Sequence, residues 1–310
     1  MKKNLLLVLI IMIIAMAITL VGCNAGDIKT SPTKTPAVFT YDINTVADFS
    51  IPVVLGETTY TFDRSKLASY DLKDITTSTI KTIDGVETTV VDNWKGVALS
   101  DIVTAAEFTG TITNIKSTAT DHFAITDVIT AGDISNYYIV IFQKVDDAFS
   151  PLAVDKIRKI CSTDQFQSNW VKKLKRVELN YVAPNTFSIV INSGEDSVTI
   201  DNSKLNYFDL YNVTTNTTSV EDWKGFKLAD LLAYAEITDT VTSIDFIVGE
   251  TVKSYETVAD INTFYIFLYK KADGVYSPLA SGDIRNGCST DTAKSLWVKG
   301  LTTIEINPVA

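Results

Sequence analysis

Apolar and polar positions along this chain alternate mostly at period two. Ile51 to Leu55, Thr59 to Phe62, Tyr137 to Phe142 and Tyr265 to Tyr269 are rich in β-branched and aromatic residues and predict strands. Val177 and Leu179, like Ile304 and Ile306, alternate with polar neighbours and predict half-buried strands. The period changes at two places. Leu99, Ile102, Val103 and Ala106 follow i, i+3, i+4, i+7, and so do Leu228, Leu231, Leu232 and Ala235, predicting one short amphipathic helix in each half. A second short helix is expected near Thr163 to Asn169 and near Thr290 to Leu296. Ser162 or Thr163, and Ser289 or Thr290, would cap it, with Asp164 or Asp291 in its first turn.

The elements come in pairs because the chain is duplicated. Trp94-Lys95-Gly96-Val97-Ala98-Leu99-Ser100-Asp101-Ile102 returns as Trp223-Lys224-Gly225-Phe226-Lys227-Leu228-Ala229-Asp230-Leu231. Arg158 to Asp164 returns as Arg285 to Asp291, and Trp170-Val171-Lys172 as Trp297-Val298-Lys299. The period is too long for a solenoid, whose units run about 20–50 residues, so these are two domain-sized copies. They span about 49–182 and 187–307, joined by Ala183-Pro184-Asn185, a joint short enough that the copies should pack closely. Ser65 and Ser203 are offset by 138 positions and Trp94 and Trp223 by 129, so the first copy holds nine additional residues between those points. They include Ile83-Asp84-Gly85-Val86-Glu87, where Asp-Gly between β-formers predicts a longer hairpin. The Trp-x-Gly segments read as turns before each helix. Their glycine supplies either a backbone angle or a close approach, and Trp94 and Trp223 cap the core beside the helix.

The N-terminus changes the picture. Lys2 and Lys3 precede an uncharged apolar run from Leu5 to Leu20 and then Leu20-Val21-Gly22-Cys23, the layout of an export signal. The run is shorter than the ~20 apolar residues of a membrane span. Leu-Val-Gly-Cys resembles a bacterial lipoprotein box. That resemblance implies that residues 1–23 end in a lipidated Cys23, which partners the bilayer and holds the protein on the outer face of the cell membrane. Residues 24–48, with Thr30-Ser31-Pro32-Thr33-Lys34-Thr35-Pro36, read as an extended tether.

Composition narrows the function. Without Lys2 and Lys3, 25 Lys+Arg face 37 Asp+Glu, a net charge of about −12. Nucleic acid is not an expected partner, since it needs clustered cations. Beyond Cys23 only Cys161 and Cys288 occur, too few for a disulfide-rich scaffold. Each reads as a small buried residue, as half of a disulfide between the copies, or as a ligand. The one histidine, His122, has no counterpart near Val248-Gly249-Glu250, reads as a packing residue, and rules out any site that needs two histidines. No catalytic residue and no metal ligand are assigned.

Trp-x-Gly-[apolar]-x-Leu-x-Asp-[apolar]-[apolar] at 94–103 and 223–232, Ser-Pro-Leu after a Tyr-rich strand at 150–152 and 277–279, and an arginine, a loop and Trp-Val-Lys leading into a closing strand recur in this order twice. Together they resemble the molybdopterin-binding domain of the sulfite oxidase family. The resemblance implies an α+β fold class: two similar β-rich domains, each with a mixed sheet and a few short helices. In that family an upstream cysteine ligates molybdenum. The matching stretches here, 74–79 and 212–217, hold no cysteine. Arg158, Lys172, Arg285 and Lys299 resemble the family's anion-contacting or structural cations and are the candidate cofactor-binding or anion-binding residues. The expectation is therefore a lipid-anchored surface module without cofactor, acting as a binding or scaffold protein with an unknown small molecule or surface protein as partner. A molybdopterin oxidoreductase with atypical ligation, and a solute-binding or adhesive lipoprotein with a cleft between the copies, are the alternatives.

Overall fold

Alternating side chains decide which strand faces go inward. In the first copy Ile51, Val53 and Leu55 are buried on one strand, and Val177 and Leu179 on another. Those two strands pair in parallel, Val53 opposite Val177 and Leu55 opposite Leu179, so the copy's first and last strands close one sheet. The structure, a computed structural model, describes residues 39–129, 133–238 and 240–308. Asp42–Ala310 is one compact unit, and everything below concerns it. The signal segment, the Cys23 anchor and residues 24–38 of the tether lie outside the described residues.

The first copy runs β1 (Ser50–Leu55), β2 (Thr58–Asp63), β3 (Lys73–Ile83), β4 (Val86–Ala98), α1 (Leu99–Ala105), β5 (Asn114–Ala119), β6 (Ala124–Val128), β7 (Tyr137–Val145), β8 (Ala148–Pro151), β9 (Arg158–Cys161), β10 (Val171–Lys172) and β11 (Leu174–Leu179). The second runs β12 (Ser188–Ser193), β13 (Asp196–Asp201), β14 (Tyr211–Asn216), β15 (Val220–Lys227), α2 (Leu228–Tyr234), β16 (Val241–Val248), β17 (Thr251–Tyr255), β18 (Phe264–Ala272), β19 (Val275–Pro278), β20 (Arg285–Cys288) and β21 (Thr303–Pro308). Each copy builds two sheets. One has the order β2-β1-β11-β5-β6, matched by β13-β12-β21-β16-β17. It is mixed, because β1–β11 and β12–β21 are parallel and the other pairings antiparallel. The other is the antiparallel β10-β9-β7-β4-β3, matched by β14-β15-β18 with β20.

The two sheets of the second copy face each other across one core, where Ile191, Phe246 and Ile304 meet Phe226, Ile266 and Leu268. Helix α2 seals this core with Leu228, Leu231 and Leu232, and α1 contributes Leu99 and Ile102 in the same way. Burying such a side chain stabilises by about 1.5–3 kcal/mol. Both helices stop after two turns at a residue with positive φ, Glu107 at 58° and Glu236 at 59°.

The nine additional residues lengthen β3 and β4 by five each relative to β14 and β15, while their turn is one residue shorter. That turn is Asp84-Gly85, with φ of 52° and 81°, as a two-residue hairpin requires.

Three expectations need correction. Trp94-Lys95-Gly96 and Trp223-Lys224-Gly225 are not turns. They lie within β4 and β15, and the pairing to β7 and β18 slips by one residue between the lysine and the glycine of each. The glycine serves close approach. A Cβ on Gly96 would sit 2.4 Å from the Ile139 carbonyl oxygen, and one on Gly225 would sit 2.0 Å from that of Ile266. Trp223 lies outside the core that α2 seals and packs with Val213 and Phe267 in a small separate cluster. No α-helix forms at 163–169 or 290–296: Gln167–Asn169 is a single 3₁₀ turn, and 290–296 is irregular. Thr163 and Thr290, expected as caps, instead approach the sulfurs of Cys161 and Cys288 at 3.1 and 3.0 Å.

Candidate functional site

Arg158 and Arg285 each begin a strand, and each lies over a tryptophan ring, Trp94 at 4.9 Å and Trp223 at 5.2 Å. Their Nε atoms donate to the Lys156 and Asp283 carbonyls at 3.0 and 3.1 Å. Burial lowers both pKa values, against the pull of Asp92 on Arg158 and of Asp283 and Glu221 on Arg285. Lys172 and Lys299 are the cross-strand neighbours of the two arginines. Lys299 is held by Asp283 at 2.6 Å. Burial and then Arg158 push the Lys172 pKa down. The structure thus brings each arginine together with its lysine, in a tryptophan-backed arrangement repeated in both copies.

Cys161 and Cys288 are free buried thiols. The disulfide alternative is therefore not what the structure holds. His122 occupies the β5–β6 turn at φ 68°. It stacks on Tyr207 of the second copy at 4.0 Å, and its Nδ1 lies 3.1 Å from the Asn206 carbonyl oxygen.

The stretches 74–79 and 212–217, set beside a metal-ligating segment by the resemblance read from sequence, lie in β3 and, as far as Asn216, in β14. Thr77 and Thr215 are fully buried there, and their hydroxyls accept from the indoles of Trp94 at 3.0 Å and Trp223 at 3.2 Å. A neutral hydroxyl engaged by an indole is not a soft ligand for molybdenum. Among the described residues no three His, Cys, Asp or Glu side chains are grouped to hold a metal ion. At these two positions the donors, Thr77 and Thr215, do not fit a molybdenum ligand.

A different site appears where the copies meet. The outer face of the β5–β11 sheet carries Lys116 opposite Glu178, and the second copy packs against it. Arg176 and Lys175 reach across to Asp209 at 3.8 and 3.6 Å. Lys271 reaches back from β18 to Glu57 in the β1–β2 turn at 2.7 Å. Tyr269 donates to the Val182 carbonyl, at the end of the first copy, at 2.8 Å. Between these contacts lies a cleft of about 350 Å³. Val54, Leu179 and Leu210 form apolar wall, and Tyr181, Tyr269 and Tyr276 add aromatic surface. Asp273-Gly274, the β18–β19 turn with φ of 50° and 82°, brings Val275 and Tyr276 to its rim.

The charged lining is unevenly paired. Glu178, 8% exposed, is contacted by Arg176 at 3.3 Å and Lys116 at 3.9 Å. Lys116 also sits 4.0 Å over the Tyr181 ring. Burial lowers the Lys116 pKa, and Glu178 opposes this. Burial and the Glu178 charge push the Tyr181 phenol up to about 12, so it stays protonated at neutral pH. Lys224 also lines the cleft. Only Lys224 belonged to a motif visible beforehand. The signal that would have singled it out was Asp74 in the first copy becoming Asn212 in the second, opposite the motif lysine.

No family model matches this chain, and no curated protein is similar to it. Among solved structures the chain is similar to the sulfane dehydrogenase SoxCD from Paracoccus pantotrophus, at 9% identity over 88% of this chain and 80% of that one, with a TM-score of 0.34. So slight a likeness fixes neither a fold family nor an activity.

Proposed function

We propose that this protein is a surface-anchored binding module that captures a small ligand between its two repeats. The observation that carries the reading is the cleft itself. Its volume of about 350 Å³ falls in the range of small-molecule sites, and its lining is mostly apolar and aromatic with a few charged groups. Both repeats contribute walls, which gives the duplication a use that neither copy has alone. In the same reading Cys23 carries the lipid, the tether lifts the repeats from the outer face of the membrane, and each repeat keeps a sulfite-oxidase-type domain without its molybdenum centre. The motif order found twice and the mixed sheets support that ancestry. The threonines at the ligand position speak against retained redox chemistry.

The test is thermal stabilisation of the full chain, in detergent micelles, by a panel of small aromatic solutes. A ligand at one hundred times its Kd adds about 2.7 kcal/mol. Leu210→Trp, which fills the cleft from one wall, should abolish the shift. Stabilisation that persists in Leu210→Trp, or a panel without effect, sinks the reading.

A further inference from the structure

The repeat provides an internal control for the motif lysine. In the first copy Lys95 lies opposite Asp74 and binds its carboxylate at 2.5 Å. In the second copy Lys224 lies opposite Asn212, which has no charge to offer. The neighbouring carboxylates are committed elsewhere: Glu178 to Arg176 and Lys116, Glu57 to Lys271. Lys224 has no ion pair among the described residues, and the ring of Tyr269 lies 5.9 Å from its ammonium. Burial pushes its pKa down, with Arg176 adding to this and Glu178 and Glu57 opposing it. A half-buried ammonium without a counter-charge is costly, and an anion arriving with the ligand offsets that cost. Apolar wall from Val54, Leu179 and Leu210 and the tyrosine faces surround it.

We infer that the cleft takes an organic monoanion, a flat apolar body bearing one carboxylate, with the carboxylate set against Lys224. This rests on the cleft being the binding site. It goes further in naming the ligand class and the residue that selects it. Lys224 is a specificity-determining residue, and the Asp74-to-Asn212 difference between the copies is what releases it.

The experiment is calorimetric titration of the full chain in detergent micelles, with micelles alone as blank. The probes are naphthalene-2-carboxylate and its neutral isostere naphthalene-2-carboxamide. The carboxylate should bind about 10-fold tighter or more, as a hydrogen bond to a charged group implies. Added salt should shrink that margin. Lys224→Gln should erase the margin while leaving amide affinity intact, and Lys224→Arg should keep it. Lys95→Gln, outside the cleft, should change neither. If both probes bind alike and Lys224→Gln changes nothing, the ligand class is wrong although the cleft binds. A margin that survives Lys224→Gln overturns the role of Lys224. If neither probe binds, the cleft reading fails and this inference with it. Should Lys224→Gln not fold, the acid-against-amide comparison across salt concentrations on the unaltered chain decides alone.

Discussion

The two repeats solve one buried position differently. In the first, β9 carries Lys159, fully buried, its ammonium 2.6 Å from Asp127 Oδ2 and 3.3 Å from the Asn169 carbonyl oxygen. In the second, β20 carries Asn286 at the same register, opposite Ile266 as Lys159 is opposite Ile139. Asn286 is equally buried but neutral. It accepts from the Val298 N–H at 2.7 Å and donates to the Leu296 carbonyl at 3.2 Å. Where Asp127 faces Ile115, Tyr255 faces Ile244. Tyr255 donates to Asp291 Oδ2 at 2.5 Å, and the Trp297 indole donates to the same oxygen at 2.6 Å. In the first repeat the matching atoms, Asp164 Oδ2 and Trp170 Nε1, are buried with no hydrogen-bond partner among the described residues. A buried ion pair and a hydrogen-bond network gathered on one carboxylate thus hold the same backbone. At this position the ion-paired version leaves Asp164 Oδ2 and Trp170 Nε1 unmatched, and the carboxylate network satisfies both counterparts.

The hardest way to break this comparison is to remove one member of the charged pair. Lys159→Met leaves Asp127 without its buried partner and should cost about 3–5 kcal/mol in denaturant unfolding. Asn286→Leu strands one N–H and one carbonyl and should cost about 1–3 kcal/mol. Equal losses would show that charge is not what separates the repeats. Installing the second repeat's solution in the first, Asp127→Tyr with Lys159→Asn, tests the same point from the other side. The double variant should be more stable than the sum of its single variants predicts, by a coupling of about 0.5–3 kcal/mol. Strict additivity would mean that the two residues do not act as a unit.

What could be read beforehand follows from the same contrast. Strand periodicity found β1, β2, β7 and β18 to within a few residues, and the i, i+3, i+4, i+7 spacing found both helices. Asp84-Gly85 announced its hairpin because a two-residue turn demands positive φ. Residues 163–169 misled because Thr163, like Thr290 in the other copy, serves a cysteine sulfur instead of a helix end, and few apolar positions there could bury a helix. The Trp-x-Gly segment misled because a glycine admitting a neighbouring carbonyl looks, in sequence, like a glycine in a turn. Lys159 passed unnoticed inside Arg-Lys-Ile-Cys, where all four residues of β9 are buried and only Asn286 in the other copy hints at it. A cleft between the copies stood among the alternatives, but its lining was illegible for a deeper reason. Residues kept in both copies mark what each copy needs to fold, whereas a site between copies depends on what differs, such as Asn212 where the first copy has Asp74, which leaves Lys224 without that partner.

A smaller effect sharpens the contrast at the carboxylates. Tyr255→Phe deletes one of the two donors on Asp291 Oδ2 and should cost about 1.5–3 kcal/mol, the range for a hydrogen bond to a charged group. Asp164→Asn in the first repeat removes a buried carboxylate whose Oδ2 has no donor, and should leave stability at pH 7 unchanged or raised. A clear loss from Asp164→Asn would mean that the first repeat depends on that charge after all.

The smallest effect lies in pH dependence, where the repeats should differ in sign. Burial pushes the Asp164 pKa up, with Asp127 adding to this and Lys159 opposing it. Its ionised form is the less stable one in the folded protein. Its contribution is complete below the ordinary carboxylate range and is lost as pH rises from that range through the raised folded value. In the second repeat Glu221 behaves oppositely. Burial pushes its pKa up, but hydrogen bonds from Lys294 and Lys270 outweigh this and hold it below the usual range. Its contribution is present above the unfolded-state value and is lost as pH falls through the lowered folded value. Unfolding free energy measured from pH 3 to pH 7 separates the two. Glu221→Gln should flatten the acid-side fall in stability. Asp164→Asn should steepen it, because the wild-type aspartate partly compensates that fall. If both substitutions moved the slope in the same direction, the two carboxylates would share one electrostatic environment, and the division between a charged first repeat and a better-satisfied second would not hold.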